Sequence, residues 1–240
     1  MKKLFSFVRS HFIPLSGLFL IIFLFSACKK DLDRVQQPAA GLMAFNLAPD
    51  NAAVGVALSG NNFTNAPLAY TNYTGGYRGV FVGNRSVESY DYFSGATLAT
   101  TQQLFKDSAY YSLFVLGTEG HYSNLLVEDN LNSLSSANGE AYVRYVNAIP
   151  DSTKPLVSIS SGGANVVNSN APYATVSDFT GITPGDISIT VNNESTFNVN
   201  RIISVEGGKV YTILLTGIPE QTDTAKAVQI KFITNGTITP

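Results

Sequence analysis

The sequence predicts an all-β protein made of two tandem antiparallel β-sandwiches behind an N-terminal export signal. Three observations carry this: short alternating or wholly apolar segments cut by Gly, Pro and Asn turns, a self-similarity at a displacement near one domain length, and a single removable apolar run at the start. The 240 residues are 45% hydrophobic but only 13% charged, about half the roughly 25% usual in soluble domains. Lys+Arg number 15 against 17 Asp+Glu, which removes the basic footprint that nucleic-acid binding needs. One cysteine excludes an internal disulfide, and two histidines leave little for imidazole chemistry. No cofactor and no metal is expected.

The export signal comes first in the chain. Lys2, Lys3 and Arg9 precede an apolar run from Ile13 to Phe25, with no acidic residue before Cys28. This is a basic n-region and an h-region of signal-peptide length. The run ends in Ser26-Ala27-Cys28, which resembles the lipobox of bacterial lipoproteins, with Phe25 in the place of the usual leucine. Small side chains suit the peptidase, and the freed Cys28 thiol can take diacylglycerol. The run is shorter than the roughly 20 residues of a spanning helix, so the expectation is attachment to a membrane through lipid on Cys28. Two or three acyl chains hold where one is marginal.

Residues 1–27 are therefore signal peptide and 28–38 a polar tether. Three basic residues and His11 leave with the signal, so the mature chain is mildly acidic and keeps only His121. Lys29 after the cysteine is similar to lipoproteins sorted to the outer membrane, and Lys29-Lys30-Asp31-Leu32-Asp33 is similar to the charged tethers of surface lipoproteins of the Bacteroidetes. The expected location is the outer membrane, on its periplasmic face or the cell surface.

Self-comparison sets the domain plan. Phe45-Asn46-Leu47-Ala48-Pro49-Asp50 is echoed by Val146-Asn147-Ala148-Ile149-Pro150-Asp151, and Val56-Ala57-Leu58 by Val157-Ser158-Ile159. Tyr73-Thr74-Gly75 returns as Phe179-Thr180-Gly181, and Tyr111 to Gly117 as Tyr211 to Gly217. The order is preserved, and each copy has ordinary domain size. The first repeat is placed at 39–130, a polar linker at 131–139 and the second repeat at 140–240.

Within the second copy, Ile187 to Val191 and Val228 to Phe232 alternate apolar and polar, which gives each one buried and one wet face. Val210 to Leu215 is a continuous apolar run and reads as a central strand. Gly162-Gly163, Pro184-Gly185, Asn192-Asn193 and Gly207-Gly208 break the chain at strand-sized intervals. In the first copy, Leu42 to Leu47, Val54 to Leu58, Val87 to Phe93, Thr97 to Phe105, Tyr110 to Leu116 and Ser123 to Glu128 take the equivalent roles. Short strands between regular turns suggest an immunoglobulin-like sandwich of seven or eight strands per copy.

The Asn-x-x-Pro-Asp segment after a first strand, the following Val-x-Val/Ile strand, and Gly207-Gly208-Lys209-Val210-Tyr211-Thr212 resemble the bacterial domain-of-unknown-function family DUF4397. The resemblance runs from Ala39 to Pro240. The first copy departs from it at Lys106-Asp107-Ser108-Ala109-Tyr110, which replaces the glycine turn. Members are often secreted or lipid-anchored, and many carry the domain in tandem. The resemblance implies a fold and a setting, and it transfers no catalytic residue.

Candidate sites follow from residue type. Eight of the 12 tyrosines lie in the first copy, and Tyr70, Tyr73 and Tyr77 with Arg78 form a loop-like stretch of aromatics, amides and one cation. Tyr pairs a flat apolar face with a polar tip, so these four are the candidate ligand-binding residues, with strand packing as the competing role. Asp107-Ser108-Ala109, Asp151-Ser152-Thr153 and Asp223-Thr224-Ala225 are similar to an O-glycosylation signal of Bacteroidetes, which points to Ser108, Ser152 and Thr224. Pro49-Asp50 and Pro150-Asp151 read as turns. His121 lacks a nucleophile elbow, and Glu128-Asp129-Asn130 lacks the spacing of a calcium loop.

The sequence thus points to a non-enzymatic binding or adhesion module that engages a glycan, an envelope component or a protein, held to the membrane through Cys28. A structural spacer and an envelope hydrolase working through paired carboxylates are the alternatives.

Overall fold

A computed structural model describes residues 37–135, 137–150, 154–193 and 196–238. Residues 38–240 form one compact unit. In the first copy, one sheet runs β5 (Arg78–Phe81), β1 (Ala39–Asn46), β8 (Tyr110–Thr118), β9 (His121–Glu128). The facing sheet runs β3 (Asn61–Asn62), β2 (Ala53–Leu58), β6 (Gly83–Asp91), β7 (Thr97–Phe105), with β4 (Leu68–Ala69) also on β2.

The second copy repeats the plan after a 3-10 turn at Leu131–Ser133. One sheet runs β13 (Thr175–Val176), β10 (Ala141–Asn147), β17 (Lys209–Thr216), β18 (Gln229–Thr237), with β14 (Thr180–Ile182) also on β10. The other runs β12 (Ala164–Asn170), β11 (Leu156–Ser161), β15 (Gly185–Asn193), β16 (Phe197–Val205). Each copy is the expected two-sheet sandwich. Its pairing adds a detail that alternation cannot reveal: β1 lies parallel to β8 and β10 parallel to β17, while the other strand pairs are antiparallel. The chain crosses to the other sheet between these strands, which gives it the length a parallel return requires.

The two copies stand face to face through their β1 and β10 sheets. Along β1, Ala40, Leu42 and Ala44 enter the first sandwich core, while Met43 and Phe45, with Leu47 just after the strand, join Phe114, Leu116, Val146, Ala148, Leu214 and Ile233 in a third cluster between the copies. A strand so placed is buried on both sides. This explains the unbroken apolar runs of β8 and β17, where Tyr111, Leu113 and Val115, or Tyr211, Ile213 and Leu215, point one way and Phe114 or Leu214 the other.

The echoed residues are those that hold turns. Asn46 is fully buried, donates through Nδ2 to the carbonyls of Asn51 and Leu68, and accepts from the N–H of Ala48. Asn147 does the same work, donating to the Ala171 carbonyl and accepting from the Ile149 N–H. Tyr111 and Tyr211 each accept a backbone N–H five residues upstream, from Lys106 at 3.1 Å and Glu206 at 3.0 Å, a tyrosine corner at the base of the strand. Gly117 and Gly217 end those strands at φ +117° and +106°, and a Cβ on either would lie 2.1 Å from the carbonyl oxygen of His121 or Ala227. Only glycine fits there.

Candidate functional site

The tyrosine-rich stretch lies against the second copy. Tyr73 stacks on Phe45 with ring centroids 5.4 Å apart and planes 16° apart, and belongs to the cluster between the copies. Tyr70 brings its hydroxyl against Thr216 and Gly217, where burial pushes its pKa up. The adjoining Thr71 accepts from Lys231 Nζ at 2.8 Å. Arg78 is exposed and donates to the Thr74 carbonyl. The structure therefore brings Tyr70, Tyr73 and Tyr77 together as packing between sandwiches, with Arg78 at the margin.

Tyr77 enters a closed polar ring. Its hydroxyl donates to Asp129 Oδ2, and Asn235 Nδ2 donates to it at 3.3 Å. Arg144 Nη1 donates to Asp129 Oδ1 at 2.7 Å, Nη2 to Ser112 Oγ at 2.9 Å and Nε to Thr212 Oγ1 at 3.0 Å. Ser112 donates to Asp129, and Thr212 donates to Asn235 Oδ1 at 2.6 Å, which closes the circuit. The first copy supplies Tyr77, Ser112 and Asp129, and the second supplies Arg144, Thr212 and Asn235. The Arg144 and Asp129 side chains are 3% and 0% exposed. The Arg144 guanidinium also lies 4.4 Å from the centre of the Phe179 ring.

Burial first, and then the Asp129 charge, push the Tyr77 pKa far above its ordinary value. A cleft of about 370 Å³ opens beside this ring, lined by Glu128, Asp129, Arg144, Ser177, Asp178 and Phe179 among others. The Asp129 carboxylate in its wall is taken up by Arg144, Ser112 and Tyr77, so its lone pairs serve the junction. Asp129 was legible in the sequence only as part of an acidic pair, and Arg144 as one charge inside an apolar strand.

A second aromatic group stands at the far end of the first sandwich. Tyr90, one residue before the end of β6, lies opposite Gly55 of β2, and a Cβ on Gly55 would lie 2.3 Å from Tyr90 Cζ. The missing side chain lets the ring lie over the strand. Tyr92 is parallel to Tyr90 within 15° at 6.4 Å, Phe93 meets Tyr92 edge-on at 6.0 Å, and Phe93 is 81% exposed. Asp91 fixes the turn between them: its Oδ1 accepts from the N–H groups of Phe93 and Ser94 and from Ser94 Oγ, and its Oδ2 from Asn51 Nδ2. The bonds from Ser94 hold its carboxyl below the usual range. Glu88, bonded to Thr97 Oγ1, and the Asn65 carbonyl, bonded to the Tyr92 hydroxyl, border the rings. The sequence pattern runs one strand through residues 87–93, whereas β6 stops at Asp91 because that carboxylate captures the N–H groups of Phe93 and Ser94.

The remaining candidates are dispersed. Ser108 and Thr224 are exposed on turns, while Ser152 and Cys28 lie outside the described residues. Pro49-Asp50 forms the predicted turn, closed by Asn51 N–H to the Ala48 carbonyl, but the Asp50 carboxylate reaches across to accept from Glu119 N–H at 2.6 Å. Asp151 lies outside the described residues. His121 is exposed at the start of β9, and no group of three metal-ligating side chains occurs among the described residues.

No curated protein matches the sequence. Among solved structures, a candidate cell adhesion protein from Bacteroides ovatus ATCC 8483 aligns over 84% of this chain and 98% of that one, at 9% identity and a TM-score of 0.25. The profile of the domain of unknown function DUF4397 matches residues 40–154 and again 141–237. The chain belongs to the DUF4397 family, with two copies of its domain in tandem.

Proposed function

We propose that this protein is a lipid-anchored, non-enzymatic binding module of the bacterial outer envelope, which presents the Tyr90–Phe93 end of its first sandwich to a glycan. The observation that carries this reading is the polarity of the unit. The chain enters at Ala39, which pairs with Phe81, and β1 then runs away from that end to Asn46. Tyr90 and Tyr92 sit at the opposite end, beside Ala53 and Val54 at the start of β2. Eight extended residues at about 3.3 Å each separate the two ends. An anchor on Cys28 followed by a tether of 28–38 would therefore turn the aromatic end outward.

The chemistry of that end suits sugars. Parallel rings offer flat apolar faces, and the hydroxyls of Tyr92 and Thr97, the Glu88 carboxylate and the Asn65 backbone supply the polar rim a pyranose needs. The rings are held in place before any ligand arrives, which lowers the ordering cost of binding. The spacer reading fits less well. Both copies begin at one end, as the shared cleft of Tyr110, Leu131, Val210 and Ile238 shows, so the duplication widens the unit and does not lengthen it.

The test is binding of the mature chain to an array of bacterial envelope polysaccharides, with Phe93→Ser and Tyr92→Ser as variants. The reading expects at least one glycan to bind and the variants to weaken it tenfold or more with the melting temperature unchanged. Binding that ignores both substitutions, or no binding to any glycan, would contradict it. Intact-mass analysis of the native protein tests acylation of Cys28.

A further inference from the structure

The opposite end of the same sandwich carries its own apolar surface. Phe81, Leu104 and Tyr110 are 57%, 58% and 37% exposed, three of the six large hydrophobic residues that are exposed among those described. All three belong to the end where the chain enters: Phe81 pairs with Ala39, Tyr110 with Gly41, and Leu104 with Asn84 at the start of β6. Beside Phe81 the edges of the two sheets stand apart, leaving an open seam of about 400 Å³ whose walls include Ala39, Leu58, Phe63, Val80 and Phe81.

We propose that this end seats on the lipid surface itself, with Phe81 inserted at the headgroup boundary, so that the module stands in a fixed orientation on the membrane. The inference rests on the anchored reading above. The length and position of the chain outside the described residues choose the occupant. From Cys28 to Pro38 the chain can reach at most about 35 Å, and its last residues lead into the wall of the seam at Ala39. A lipid on Cys28 therefore holds Phe81 and Leu104 within reach of the bilayer at high effective concentration. Weak apolar contacts then suffice, as they do for interfacial segments paired with an acyl anchor.

The charges at this end are compatible with a headgroup layer. The Arg85 guanidinium lies 5.8 Å from the centre of the Phe81 ring and donates to the Phe81 and Val82 carbonyls, an aromatic and a cation side by side as at membrane interfaces. Asp107 is turned onto the Ala39 N–H at 3.0 Å, and Lys106 onto Glu128 at 2.7 Å. With Lys106 and Asp107 so paired, Arg85 is the cation beside Phe81 among the described residues, and anionic lipid is expected to strengthen the contact modestly.

The chain contains no tryptophan and one cysteine, which makes a direct test available. Residues 28–240 are coupled through the Cys28 thiol to a maleimide lipid in vesicles, with Phe81→Trp, Leu104→Trp or Phe93→Trp as the sole tryptophan. Brominated phosphatidylcholine is then used as the quencher. The proposal expects Trp emission from the first two to be quenched at least twofold more than from the third, and more strongly still with phosphatidylglycerol present. Equal quenching at all three positions would overturn it, as would a blue shift of the Phe81→Trp emission on native membranes that protein-free vesicles do not reproduce, which would indicate a protein occupant. Because the lipid is attached chemically, the outcome is independent of whether cells acylate Cys28. Failure of the anchored reading would appear separately, in the mass of the native protein.

Discussion

Arg144 and Asp129 meet across the junction of the two copies at 2.7 Å, both sealed from solvent. The positions they occupy are not alike in the duplicated frame. Arg144 pairs with Thr212 as Met43 pairs with Ser112, and Asn235 follows Thr234 opposite Tyr211 as Asp129 follows Glu128 opposite Tyr111. One copy therefore has Met, Ser and Asp where the other has Arg, Thr and Asn. A repeat packed on its own copy has diverged into a complementary pair, and the closed hydrogen-bond circuit around it fixes which face meets which.

Removing one partner should be costly. Arg144→Met leaves Asp129 buried with its main counter-charge gone, and an expected loss of about 3–5 kcal/mol in urea denaturation. Adding Asp129→Asn gives each position the residue its counterpart already carries, and the double variant should recover most of that loss. A double variant no more stable than the single one would show that the ion pair itself, not the avoidance of an orphan charge, holds the junction.

The two corner tyrosines should behave as equals. Tyr111→Phe and Tyr211→Phe each orphan one backbone N–H, of Lys106 or Glu206, and should each cost about 1–3 kcal/mol. Unfolding of single and double variants checks both the size and the additivity.

Glycine at the end of β17 should be irreplaceable in a way that open glycines are not. Gly217→Ala combines φ +106° with a Cβ 2.1 Å from the Ala227 oxygen, whereas Gly163, at φ +84°, has nothing within 4 Å. Both substitutions carry backbone strain of about 1 kcal/mol. Only Gly217→Ala should lose substantially more, read from the same denaturation curves.

Alkaline pH should loosen the junction. The Tyr77 pKa is raised in the fold by burial first and by the Asp129 charge second, against about 10 in an unfolded chain. The unfolded state therefore releases its proton first as pH rises, so the contribution is intact below about pH 10 and declines above it. Urea midpoints measured between pH 8 and 11.5 should fall less steeply for Tyr77→Phe than for the parent protein. Parallel slopes would place the alkaline sensitivity elsewhere.

The strands of each copy were legible because one face of each is wet or because the run is wholly apolar. The strands β5, β12 and β16 leave no such pattern: β5 has four residues, β12 is largely exposed and rich in Asn, and in β16 the outward row carries Asn198, Asn200 and Ile202 while Arg201 breaks the inward row, so period two is blurred. The two-residue strands β3 and β4 are too short for any period. The junction between the copies was invisible, since a core-facing and a copy-facing apolar residue look alike in sequence. For the same reason Tyr70, Tyr73 and Tyr77 read as a ligand loop. The clearest available clue was Arg144, one charge inside Tyr142-Val143-Arg144-Tyr145-Val146, which only a buried partner could accommodate.

That the two copies are one cooperative body is the claim on which the outward aromatic end and the seated opposite end both depend. Differential scanning calorimetry of residues 38–240 tests it most directly. A single transition whose calorimetric and van't Hoff enthalpies agree is expected, dividing into two when Arg144→Met weakens the junction. Two independent transitions in the unaltered protein would contradict it.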